Sequence, residues 1–505
     1  LDGTVEFRLG QIESEGEVSP FLQMTAGFVG NSEAISLRDV ELSLADATFK
    51  GAVEVGLEGD PNIAANLSGA RLAVDQMLES FHAAALPVET LRIPEALIGA
   101  LDLRVVDLSF GAARTSNVQA DVRIEEGALL FDSLSAEFPG DTTTEVKGIF
   151  SIAQGTPRFD GSLEANVGNP SALARWASEL TQSEPLATRA KDVDFQSLRL
   201  QTELALQPSL LQAYSLSMVA GVEDGKVTPP VTGGLSFALR GRPALSVELR
   251  GASMDVSWFD GFLNVQNVYD NMDPSSFDAN VILGFDELML AAADLTDVDV
   301  SASLSDGVLS VERFSAVLDG TDEISAVGTV SNIGSFATGG LEGTINAGLA
   351  LSLGGLLLDV AAPSADGGVL AYVLRGEVTD AGHVASLEMS GEVEGSSVSL
   401  VANQQRVQSS PAADKLDLVL TLENRTAQIL LDQFGVVPTA PVDGAGRLRV
   451  QVSGQSEGSL DTSLRFAAGG FTGLLTGKTN ALFEAPQFNG RFEMSAPTFG
   501  FASQV

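Results

Sequence analysis

The 505-residue chain has no cysteine, only two histidines, and 28 lysines and arginines against 67 acidic residues. Each scarcity removes a class of function. Without cysteine there is no disulfide, no thiolate-held zinc or iron–sulfur cluster and no thiol nucleophile. A formal net charge of −39 argues against a nucleic-acid partner, because phosphate backbones are held by an excess of Lys and Arg. The same deficit argues against docking on an anionic membrane through a basic patch. Acidic surfaces do suit a β-rich chain, whose exposed edges they keep from pairing with one another. Long apolar runs are also missing. The most hydrophobic stretch, residues 349–360, is split by Gly354-Gly355 and falls short of the roughly 20 residues of a membrane helix.

Catalytic constellations are equally sparse. His82 ends a helical segment and His383 sits in the turn Asp380-Ala381-Gly382-His383; both are read as surface or internally satisfied imidazoles. No Gly-x-Ser-x-Gly elbow precedes a helix. Glycine pairs such as Gly339-Gly340 and Gly367-Gly368 lack a phosphate-loop lysine and a following helix, so they read as hairpin turns. Asp294, Asp297 and Asp299 are the nearest thing to a calcium ladder, but they lack the glycine and terminal glutamate of an EF-hand loop and read as a solvated strand edge. No catalytic, metal or cofactor residue is assigned, and the chain is not expected to be an enzyme.

What is present is alternation. Leu101, Leu103 and Val105 alternate with Asp102 and Arg104, and Val118, Ala120, Val122 and Ile124 with Gln119, Asp121 and Arg123. Period two places each set on one face of a strand. A shift of 180 residues lays this stretch on a second one without a gap. Leu103 falls on Leu283, Val118 on Val298, Gly127 on Gly307, Leu129 on Leu309, Gly140 on Gly320 and Gly148 on Gly328. A duplicated meander of short antiparallel strands is the simplest account.

Hairpins with a Gly-x-Pro turn recur at Gly59-Asp60-Pro61, Gly155-Thr156-Pro157 and Gly241-Arg242-Pro243, where proline can open a return strand without needing its N–H. Short helices are expected over residues 74–81, 170–180 (with Asn169 as N-cap) and 427–434. Further strands are expected at 195–206, 216–222, 281–290, 369–374, 384–389, 393–400, 416–422, 448–452, 460–466 and 488–494. Connectors are expected at 181–191, 405–415 and 436–442, none of them long enough to force independent domains. The chain therefore reads as one continuous repetitive body over 1–505, with approximate repeats at 35–100, 101–180, 195–280, 281–345 and 416–505. It opens in strand pattern without an initiator Met and is read as a piece of a longer protein.

The paired stretches 101–152 and 281–330 carry a family resemblance. Each has alternating strands, a Gly-x-Leu turn (Gly127-Ala128-Leu129 and Gly307-Val308-Leu309), then a Ser-Ala pair and a closing glycine. Residues 416–452 add a strand, a short helix, a proline-containing loop and Gly444-Ala445-Gly446-Arg447-Leu448. In these features the chain resembles the AsmA-like proteins of Gram-negative envelopes. The resemblance implies an all-β fold: a long, curved, mostly antiparallel sheet forming an open U-shaped groove, with a few short helices, related in architecture to chorein-type bridge proteins. It implies a periplasmic protein anchored in the inner membrane by an N-terminal helix that this sequence does not contain. It further implies transport of phospholipid toward the outer membrane, with inner- and outer-membrane components as partners at the two ends.

Pattern and resemblance agree in kind. At about 12 residues per strand and turn the chain would make roughly 40 strands, a sheet on the order of 200 Å long at ~4.8 Å per strand. A sheet that long must curl to shelter its apolar face. The lipid lining is expected to include Val118, Val122, Ile124, Leu235, Phe237, Leu245, Val247, Leu249, Leu416, Leu418 and Leu420. A closed core would show the same alternation. A structural or adhesive secreted β-solenoid without lipid cargo is the alternative, and a hydrolase on a β scaffold the third.

Overall fold

The computed structural model describes residues 2–9, 12–14, 17–19, 22–44, 47–58, 62–77, 93–153, 155–181, 196–221, 227–255, 274–290, 293–318, 322–332, 337–346, 368–379, 382–393, 395–406, 414–433, 442–455, 459–480 and 487–495. The fold is all-β with a few short helices, and its strands form compact units over Leu1–Val268 and Tyr269–Val505.

In the first unit β1 (Asp2–Leu9) pairs with β4 (Leu22–Gly30), passing over a separate small hairpin of β2 (Ile12–Ser14) and β3 (Glu17–Ser19). The antiparallel meander continues through β5 (Ala34–Leu44), β6 (Ala47–Gly56) and β7 (Asn62–Ala73). β7 then pairs in parallel with β8 (Ile98–Phe110). A parallel pair needs a crossover connection, and this one begins with a helical turn at residues 74–77. Residues 78–81 of the expected helix lie outside the described residues, as do His82 and Gly59-Asp60-Pro61. Antiparallel pairing resumes through β9 (Ala113–Glu125), β10 (Ala128–Phe138), β11 (Thr142–Ala153) and β12 (Thr156–Val167). After helix α1 (Pro170–Thr181) come β13 (Ser197–Gln207), β14 (Leu210–Gly221), β15 (Val231–Ala238) and β16 (Ala244–Asp255).

The second unit is antiparallel at every described pairing. It runs through β17 (Asp278–Leu290), β18 (Ala293–Ser305), β19 (Val308–Leu318) and β20 (Asp322–Ser331). Next come β21 (Thr338–Asn346), β22 (Val369–Thr379), β23 (Gly382–Val393), β24 (Ser396–Arg406) and β25 (Lys415–Asn424). Helix α2 (Ala427–Gln433) precedes β26 (Gly446–Gln455), β27 (Ser459–Ala468), β28 (Phe471–Asn480) and β29 (Gln487–Ser495). Among the described residues there are 29 strands, fewer than the roughly 40 that a 12-residue spacing implies. Meander strands reach 13 residues before any turn is added.

The 180-residue shift maps one set of strands onto another. β8, β9 and β10 coincide with β17, β18 and β19 at both ends, and β11 with β20 at its start. Glu126-Gly127 and Asp306-Gly307 make the same turn, with both residues of each pair at positive φ, 51° and 74° in one and 52° and 74° in the other. Such a turn matches the twist of the strands it joins and favours glycine at its second position.

Register irregularities recur as well. Asp39, Asn117, Ser215 and Asp297 hold φ of 49–55° inside β5, β9, β14 and β18, beside register shifts in each strand's pairing. A bulge bends its strand and raises the local twist. Asn, Asp and Ser are small polar residues that can bond their own backbone there, whereas Val and Ile have no polar atom and are crowded at positive φ. Asn117→Val is therefore expected to lower stability by roughly 1–2 kcal/mol, while Asn117→Gly is expected to hold it, by denaturant melts of both variants. Equal melts would rule out the left-handed bulge.

Asn169 caps the start of α1, and packing holds α2. Asn169 Oδ1 accepts the Ala172 N–H at 3.1 Å, and Trp176 meets the Phe138 ring edge-on with centroids 4.8 Å apart. In α2, Ala427 and Leu430 are fully buried. The Asn424 amide donates to Ser396 Oγ (2.8 Å), Ser396 Oγ donates to Gln433 Oε1 (2.8 Å), and Gln433 Nε2 donates to the Val393 carbonyl (3.2 Å).

Three boundaries depart from the alternation. β14 starts at Leu210 rather than 216, because the bulge at Ser215 interrupts the period. Val393 closes β23 and faces Ser396 across the Gly395 turn, so it does not open the next strand. Gly339-Gly340 lies inside β21, not in a turn. There Gly339 faces Val330 and Gly376, and an added Cβ would meet the Thr329 carbonyl at 2.2 Å.

Candidate functional site

Alternation puts apolar side chains on one face of each strand; pairing decides whether those faces join. In each unit they do. From Val247 on β16, one row of direct cross-strand partners passes through Leu235, Ala213 and Leu204. It crosses Gly161 and Gly148, then continues through Phe131, Val122 and Leu101. It ends through Ala65, Val53, Leu37, Phe28 and Gly3 on β1. Every strand of the long sheet in this unit contributes an apolar residue or glycine. The Gly148–Gly161 gap is roofed by Phe159, whose ring would lie within 3 Å of a Cβ on either glycine and meets Phe131 edge-on at 6.2 Å.

The second unit has an equivalent row. It starts at Val281, Ala302, Val311 and Gly328, which are Leu101, Val122, Phe131 and Gly148 plus 180. It continues through Leu341, Leu374, Leu387 and Ala402 to Leu418 and Val452. Thr462, Gly477 and Gly490 complete it.

All eleven expected lining residues lie on this face of their own unit. Val122 is buried, Val118 and Ile124 are half-buried, and Val118 packs against the cluster around Val105 and Phe49. Phe237 faces Leu211 and Leu245, while Leu235 faces Val247. Leu235, Phe237 and Leu245 remain 37%, 38% and 38% exposed. Val247 and Leu249 are half-buried. In the second unit Leu416 is buried, while Leu418 and Leu420 are half-buried beside the cluster of Leu422, Leu448, Val450 and Val452. The face thus mixes dry patches with large apolar side chains that stay open. Phe488, Phe492 and Met494 on β29 are open too; Phe131, Phe159, Phe488 and Phe492 share the alternation of their strands, and that signal could have added them to the lining.

The opposite face is charged. Arg123 bonds Asp132 (2.6 Å) and Glu125 (2.8 Å), and this guanidinium holds the Asp132 carboxyl below its usual range. Arg158 pairs with Asp160, Lys147 with Glu145 (2.7 Å), and Arg313 with Asp299 (2.8 Å). Asp299 is therefore an ion-pair member. Asp297 supplies the β18 bulge, and no group of acidic and histidine side chains suited to a metal occurs among the described residues. His383 is in strand rather than a turn; it is buried at the start of β23 with Nε2 2.5 Å from the Ala337 carbonyl.

No family model, characterised protein or solved structure matches the chain. No helix among the described residues is long and apolar enough to cross a membrane.

Proposed function

We propose that the chain is a lipid-binding groove that contributes to phospholipid transfer and outer-membrane assembly in the periplasm of a Gram-negative envelope. In this reading each meander curls so that its apolar rows line an open trough for acyl chains. Inner- and outer-membrane components flank the full-length protein. One observation carries the reading: a row of apolar residues and glycines, with Thr462 its one polar member, crosses the strands of each unit's long sheet, yet Leu235, Phe237 and Leu245 on that face stay more than a third exposed. A globular core would bury such side chains. The recurring bulges support curling, since bulges are a means of bending a sheet.

The energetics suit cargo that slides. At roughly 4.8 Å per strand, either row runs on the order of 60 Å. Each methylene sheltered from water contributes about 0.8 kcal/mol, so some ten of them hold a chain by about 8 kcal/mol without any directional contact. That matches a lining with no polar constellation.

Purified protein is expected to carry phospholipid, detectable by mass spectrometry of the extracted lipid. A photocrosslinker at position 237 or 418 is expected to label it. Lipid-free protein with no label at either position would leave a structural role without cargo as the better account.

A further inference from the structure

We infer that the charged face of β25–β29 holds a phosphate-binding site built on Arg449 and Arg465. These two are direct cross-strand partners. Of the cross-strand pairs among the described residues, this is the one that sets two arginines or lysines opposite each other. Like charges in that position destabilise a sheet. Two other arginines, on β26 and β29, do have carboxylate partners: Arg447 bonds Glu423 at 2.9 Å and Arg491 bonds Glu493 at 3.1 Å. Among the described residues no carboxylate forms an ion pair with Arg449 or Arg465; their other cross-strand neighbours are Thr421 and Leu474.

The pair borders an open cavity of about 560 Å³, also lined by Arg447, Thr472, Leu474, Glu493 and Ser495. The cavity therefore carries the Arg449 and Arg465 guanidinium groups, a third on Arg447 that Glu423 engages, two hydroxyls and one carboxylate that Arg491 engages. Paired guanidinium forks match the oxygens of a phosphate group in geometry as well as charge. A bound phosphate turns the Arg449–Arg465 repulsion into two attractions. The site lies on the face opposite the apolar rows, so it does not depend on the lipid reading. A soluble phosphate ester and a phospholipid headgroup present the same phosphate chemistry, and the test separates these sources.

The experiment titrates the full chain with inorganic phosphate and with glycerol 3-phosphate by calorimetry, and separately with phosphatidylglycerol vesicles by flotation. Soluble phosphate is expected to bind with a Kd below about 1 mM, more weakly as salt rises. R449Q and R465Q are each expected to weaken it at least about tenfold. Without ligand, R465Q is expected to melt no lower than the unsubstituted protein, since it removes a repulsion. Vesicle binding lost in both variants assigns the site to a lipid headgroup. Soluble binding alone assigns it to phosphate esters. Failure to bind either probe, or binding indifferent to both substitutions, overturns the inference; the lipid co-purification result is unaffected either way.

Discussion

Leu430→Ala is expected to remove about 2–5 kcal/mol of stability from the second unit. Leu430 is fully buried in the cluster with Leu370, Val398, Leu422 and Leu448. Truncation leaves a cavity that the surrounding strands cannot close. A helix of seven residues has almost no stability of its own, so α2 stays in place through Ala427, Leu430, Leu431 and the Asn424–Ser396–Gln433 chain of hydrogen bonds. The fit is tight from the sheet side as well. A Cβ on Gly446 would sit 3.0 Å from Ala427 Cα and 3.0 Å from Leu430 Cδ2, so Gly446→Val should also destabilise, by roughly 1–3 kcal/mol of overpacking. Urea unfolding, with hydrogen exchange read on β24–β26, measures both. A loss under about 1 kcal/mol for Leu430→Ala would mean that α2 does not seal this part of the sheet.

The second large effect separates an open trough from a closed core. Phe237→Asp combined with Leu245→Asp is expected to leave the fold standing, because both positions are 38% exposed and a charge there keeps its water. Bound phospholipid should nevertheless fall at least about tenfold, since an acyl chain crossing that point would have to desolvate two carboxylates. Val450→Asp is the contrast. Val450 is 2% exposed between Leu420 and Leu464, and an unpaired buried charge there is expected to cost about 3–5 kcal/mol. Extracted-lipid quantification and denaturant melts on the same preparations give both readouts. If the double variant unfolds like Val450→Asp, the face around β15 and β16 is a packed interior. If it folds and keeps its full lipid load, lipid does not travel there.

Much of the architecture was legible in short-range pattern. The strand alternation, the Asn169 cap, the helix at Ala427 and the turns at Gly127 and Gly307 all follow from a few consecutive residues. The 180-residue shift predicted equivalent strands, and the bounds of β8–β10 and β17–β19 coincide under it. What escaped the pattern has local causes too. β28 was not expected, because Gly473, Gly477 and the threonines Thr472, Thr476 and Thr479 dilute its alternation. The first half of β14 was missed because a bulge at Ser215 moves every later side chain to the other phase.

By itself the sequence determined the strand faces and the absence of cysteine, histidine clusters and surplus positive charge, since each of these is a property of single residues or of neighbours two apart. The tertiary structure alone decided which faces meet. The parallel step from β7 to β8, the Gly148–Gly161 contact under Phe159 and the Arg449–Arg465 opposition all depend on register between separate strands. Register is set by backbone hydrogen bonds and turn lengths acting together, which the alternation within one strand does not encode.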